Sequence, residues 1–345
     1  MPSRRRLLAL TGTTLTAALA GCSSSGTDDT STTSPPTQTQ APTQTQTETE
    51  TQTSAETTQS PEAADAITDA IEQLYQASSS LNDEREDAWT TDWDNDTSFD
   101  TNQVATSLRR ANDDLDTASN SATSGQQTTI DHLRTYHDAL TEANAVYEAL
   151  GSLYTRMSTA DAYIDSESYD RAVETFSAIR SGAHADAQTA IEAAQSKLDT
   201  YPNSDVNADV GYSLAAQTLE TLASTITGLG HVVDGRQRIL EGREQYNDGL
   251  DDYREGRGGA FDARNYFIEA RNTFQSAKDA FQAGEEDENA LPDMVPYFVR
   301  KQCRATARQD AANAMYEACG AAIARNPGEA DAYETEARRA LARDC

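Results

Sequence analysis

The stretch Asp92-Trp93-Asp94-Asn95-Asp96-Thr97-Ser98-Phe99-Asp100 sets side-chain oxygens at alternate positions. Asp92, Asp94, Asp96 and Asp100 are hard anionic ligands, and such spacing lets oxygens converge on a hard cation such as Ca2+. A solvated acidic loop has the same composition, and 57 acidic residues make Asp at alternate positions easy to reach by chance. Of the four histidines, His132 and His137 are five apart and fall on different helix faces, unlike the i, i+4 pair of a zinc helix. His231 and Asp234 can lie side by side at i, i+3, and a buried, hydrogen-bonded His231 needs no ligand. Cys303 and Cys319, if on one helix, are roughly 24 Å apart and cannot bridge. Cys345 could fold back to Cys303 after a turn at Asn326-Pro327-Gly328; unbridged thiols are the alternative. No nucleophile elbow, glycine-rich phosphate loop or Cys-x-x-Cys is present, and no residue stands out as catalytic.

Charge excludes some partners outright. The chain has 345 residues, 27 basic and 57 acidic, for a formal net charge of −30. Such a surface repels nucleic acid and anionic lipid. Lysine occurs only at Lys197, Lys278 and Lys301. Acid excess, scarce lysine and small apolar residues resemble the proteins of salt-loving archaea, for which concentrated salt screens the self-repulsion.

The first 22 residues carry a second chemistry. Ser3-Arg4-Arg5-Arg6-Leu7-Leu8 resembles a twin-arginine export motif, with the pair at Arg4 and Arg5. The apolar stretch that follows is too short to span a bilayer and reads as a processed signal. Leu19-Ala20-Gly21-Cys22 resembles a lipobox, in which the Cys22 sulfur accepts a lipid. The order and spacing resemble haloarchaeal twin-arginine lipoproteins. That resemblance implies a body exported already folded and held at the outer face of the cytoplasmic membrane. The expected organisation is a signal peptide over 1–21, a disordered Ser/Thr/Gln-rich tether over 22–61, and a helical domain over 62–345 with a possible subdivision near 200–208. Asn95-Asp96-Thr97 is an N-glycosylation sequon.

Past Pro61 the apolar residues recur at alternating spacings of three and four. Leu133, Tyr136, Leu140, Ala143, Tyr147, Leu150, Tyr154 and Met157 form one such seam; Ala260, Ala263, Phe267, Ala270, Phe274, Ala277 and Phe281 form another. These are faces of long amphipathic helices, so an all-α body in an irregular bundle or repeat-like hairpins is expected. Helices are predicted over 62–80, 101–121, 127–164, 168–181, 183–199, 209–255, 260–283, 296–325 and 329–343, the sixth open to division in two.

Ala160, Tyr163, Tyr169, Ala172, Phe176 and Ile179 are spaced as in a tetratricopeptide repeat, which they resemble. The segment departs at Glu167, where that family has glycine. Plain helix-pair packing explains the same residues. The resemblance implies a partner-binding groove at Tyr163, Tyr169 and Phe176. The acidic stretch similarly resembles the start of an EF-hand loop, but Thr97 stands at the turn glycine and Gln103 at the bidentate glutamate.

The functional expectation is a non-enzymatic, surface-anchored helical scaffold that binds an envelope or extracellular protein. The alternative is a metal- or solute-binding lipoprotein associated with a transporter.

Overall fold

The structure, a computed structural model, describes residues 60–90, 99–202 and 209–345. The chain divides into two units at Ala55/Glu56, and every described residue lies in the second. Arg4, Arg5, Cys22, Asp92, Trp93, Asp94 and Asp96 lie outside the described residues, so the export motif, the lipid site and most of the Ca2+ stretch are not seen.

Among the described residues there are nine α-helices and no strand: α1 (Pro61–Asp83), α2 (Thr101–Ser121), α3 (Ser124–Asp165), α4 (Tyr169–Ile179), α5 (Ala185–Thr200), α6 (Tyr212–Arg254), α7 (Gly259–Glu286), α8 (Val295–Ile323) and α9 (Pro327–Leu341). The expected all-α fold is present. The segment expected over 209–255 is one helix of 43 residues. Between α4 and α5 the chain stays helical through a π-helical stretch, Arg180–His184, rather than breaking. Starts follow local chemistry. Ser60 caps α1 through Ala63 N–H at 3.4 Å, with Pro61 in the first turn. Asn326 and Pro327 repeat this device at α9. Asp100, expected as a cation ligand, caps α2, accepting from Gln103 N–H at 3.2 Å.

Parallel helices α1 and α3 are held in a single register by side chains of α3. The Tyr147 hydroxyl donates to Leu81 O at 2.8 Å and the Tyr154 hydroxyl to Ala88 O at 2.5 Å. Gln126 binds both Ser60 N–H and Ser60 O, at 3.2 and 3.1 Å. All these pairs are 66 residues apart, and a constant offset means that the two segments run the same way without slipping. Between them Tyr136 donates to buried Ser78 at 2.7 Å, which in turn reaches Val210 O at 3.0 Å. Each hydroxyl is thereby paired as burial requires.

Helices α6 and α7 pack antiparallel by a different rule. Gly235, Gly242 and Gly249, seven apart on α6, face Phe281, Phe274 and Phe267, seven apart on α7. The rings fill the space left by the missing side chains, and all three are buried. The core falls into two clusters whose division crosses α6 between Leu240 and Tyr246. The same helices serve both. Trp89 packs edge-on against Tyr297 of α8 at 5.7 Å, tying the end of the α1 segment to the later helices.

Cys303 and Cys345 form a disulfide across 42 residues, clamping the end of the chain to α8. Cys319 is a free, buried thiol that burial pushes up to about 12, so it stays protonated and unreactive.

Candidate functional site

Where α3, α6 and α8 meet, a cavity of about 190 Å³ is lined by Arg236, Arg243, Lys301, Arg304 and Arg308, with Asp161 as the one carboxylate. Ile164, Ile239, Leu240 and Phe281 supply its apolar wall. Helical periodicity aligns the basic groups. Arg236 and Arg243 are seven apart on α6, while Lys301, Arg304 and Arg308 follow i, i+3, i+7 on α8. From Val295 to Gln309, α8 has four basic residues and no acid, in a chain of −30 overall.

Three of the five cations are held by neighbouring side chains, while Arg304 is exposed. Arg236 pairs with Asp161 and stacks over Phe176 at 5.0 Å. Arg243 donates to the Tyr169 hydroxyl at 2.6 Å, with its guanidinium 4.5 Å above that ring. The Lys301 ammonium lies over the Tyr297 ring at 4.9 Å. Among the described residues, Arg243, Lys301, Arg304 and Arg308 have no carboxylate partner. Burial, reinforced by Arg236 and Arg304, holds the Lys301 ammonium down to about 7. Burial, with Arg243 and Arg304 alongside, lowers Arg308 to about 10, so it stays charged at neutral pH.

On the other side of Tyr169 lies the opposite charge. Glu167, Asp170, Glu244 and Asp248 edge an open cleft. Burial, then a hydrogen bond and repulsion from Asp170, raise Glu244 to about 7. These acids crowd one another, and none of them lines the cavity.

The expected groove residues are therefore found beside the site, in supporting roles. Phe176 is fully buried and offers nothing to a partner; its ring is the platform under Arg236. Tyr169 orients Arg243, and Tyr163 lies half-buried with Arg171 above its ring at 5.9 Å. The hairpin that carries them turns through Glu167, whose φ is +59°. His231 is hydrogen-bonded, but its partner is Asp287 at 3.1 Å rather than Asp234, which pairs with Arg180 at 2.7 Å. A helix-adjacent acid lost to one contributed from the end of α7. His137 and His184 engage backbone oxygens of Leu108 and Ile226. No group of three or more His, Cys, Asp or Glu suited to a metal ion occurs among the described residues.

Sequence reasoning missed all five cations of the cavity. Two signals pointed to them: arginines at a heptad interval directly after Gly235 and Gly242, and an acid-free basic face on α8. Neither shows that the two faces meet. Family models, curated proteins and solved structures contain no match to this chain.

Proposed function

We propose that this chain is a lipid-anchored, extracytoplasmic binding protein whose helical body takes up a small anionic solute in the cavity between α3, α6 and α8. The observation that carries this reading is the convergence of four basic side chains without carboxylate partners in a chain where acids outnumber bases two to one. Crowding like charges is costly where they are withdrawn from water, as Lys301 and Arg308 are, and a bound anion relieves that cost. The cavity is smaller than pockets that enclose drug-sized molecules, which favours a compact ion or small organic acid.

The N-terminal segment, with Arg4, Arg5 and Cys22, supports export and lipid anchoring, and a tethered solute receptor beside a transporter would use both. Of the groove residues named for the rival reading, a protein-binding scaffold, Phe176 is buried, Tyr169 is engaged by Arg243 and Tyr163 is half-buried.

The test is calorimetric titration of the folded protein with an anion panel in molar NaCl, beside Arg243→Gln and Arg308→Gln. Saturable binding that both variants weaken at least tenfold is expected. No heat with any anion, or binding indifferent to both substitutions, rejects the reading.

A further inference from the structure

Resting on the anion-binding reading, we infer that the cavity takes a divalent tetrahedral oxyanion, of phosphate or sulfate chemistry, and that its entry is coupled to uptake of one proton by Lys301. Three features of the site lead there.

Valence comes first. Asp161 compensates Arg236, and four further basic groups remain. A monovalent ion such as chloride leaves most of that charge in place. A divalent tetrahedral ion concentrates two charges and four acceptor oxygens in a small volume, matching guanidiniums that approach from two helices. An extended dicarboxylate separates its charges along an apolar spacer, whereas Lys301, Arg304 and Arg308 follow one another on successive turns of one helix and favour concentrated charge.

Selectivity against salt comes second. At molar ionic strength the Debye length is about 3 Å, so long-range attraction is lost and only direct contacts inside the cavity discriminate. Chelation by several fixed donors survives that condition, whereas simple charge attraction does not. Arg236 is fixed by Asp161 and Phe176, and Arg243 by Tyr169, so the α6 donors are already oriented before a ligand arrives.

The proton comes third. The charged and aromatic groups that act on Lys301 are Asp161 from α3, Arg236 from α6, and Tyr297, Arg304 and Arg308 from its own helix; Arg243 of α6 acts on Arg308, and α7 contributes only Phe281 to the lining. An ammonium gives up its proton far more readily than a guanidinium, so Lys301 is the member of the set that can relieve repulsion by losing its proton. Its value of about 7 in the empty site places this change in the physiological range. An incoming dianion reverses the balance. The neutral amine takes one proton from solvent to become ammonium, and that charge faces the ligand. No bond to the ligand is made or broken.

Sulfate is the discriminating probe, because it does not titrate near neutrality and any proton taken up must be bound by the protein. Titrations of the full chain in 2 M NaCl at pH 8, in two buffers of different ionisation enthalpy, should show uptake of about one proton per sulfate bound. Affinity should fall by up to about tenfold per pH unit above 7. Lys301→Arg should bind sulfate with no proton uptake and a flat pH profile, and Lys301→Met should bind more weakly with the same flat profile. Inorganic phosphate set against glycerol phosphate then separates a free ion from an ester head group as the natural source. Succinate binding more tightly than sulfate or phosphate overturns the ligand class. Sulfate binding without proton uptake, or uptake that persists in Lys301→Arg, overturns the coupling. Both outcomes leave the anion-binding reading intact, which fails only if no anion binds at all.

Discussion

Phe274 of α7 occupies the space into which Gly242 of α6 would project a side chain: a Cβ on Gly242 would come within 2.7 Å of the ring. The ring is buried and cannot swing away. Gly242→Ala gains the better helix propensity of alanine, about 1 kcal/mol, but overpacking a full core costs roughly 1–3 kcal/mol. A net loss of stability is expected, seen as a lower midpoint in a denaturant melt. Gly320, with open space around it, is the control: Gly320→Ala should leave the midpoint unchanged or raise it.

Glu167 provides the reverse case. It ends α3 in the left-handed region at φ +59°, with Ser168 N–H donating to Tyr163 O at 2.8 Å as in a glycine-terminated helix. A side chain in that region costs about 1 kcal/mol or more. Glu167→Gly should therefore stabilise the protein by up to ~1 kcal/mol, and an unchanged or lowered melting point would contradict this.

The Cys303–Cys345 bridge closes a loop of 42 residues around the α8–α9 hairpin. Loop-closure entropy makes a cross-link of that length worth about 2–4 kcal/mol. Cys345→Ser should lower the melting point, and reduction of the parent protein should reproduce the effect. Thiol titration of the native, oxidised body should find Cys319 unreactive until the fold opens, because it is fully buried.

Stability should also respond to Lys301 in alkali. Its folded value of about 7 is below the ordinary 10.5, so between these values the unfolded chain holds more protons than the folded one. Stability from this group therefore rises with pH across that window, and the penalty of the buried charge is fully present below it. The difference between wild type and Lys301→Met should shrink from pH 6 to pH 10 in thermal melts. A constant difference would show that Lys301 does not titrate in the fold.

A net charge of −30 sets the salt dependence. Below about 0.5 M salt the Debye length grows and repulsion among the acids is felt across the surface. The melting point should fall on dilution. In cells, Cys22→Ser should release the protein from the membrane fraction, and continued retention would remove the lipid anchor.

Much of the secondary structure was legible from local pattern. The α3 and α7 seams were visible as alternating spacings of three and four, and the ends of α1 and α9 were marked by Ser60-Pro61 and Asn326-Pro327. These signals act within a turn or two of helix, so one sequence suffices to read them. The Gly235, Gly242 and Gly249 heptad was equally local, but glycine carries no apolar signal and its meaning depends on the ring opposite.

The cavity was decided at another level. Asp161, Arg236 and Lys301 are far apart in the chain, and each alone reads as a charge on a solvated helix face. Only the packing of α3 and α8 against α6 brings them to one volume and strips away water. That removal of solvent lowers both Lys301 and Arg308. Residue spacing alone settles which faces are apolar and which are charged. Tertiary structure decided which charged faces meet, because helix packing is set by side-chain shapes on both partners and not by the periodicity of either.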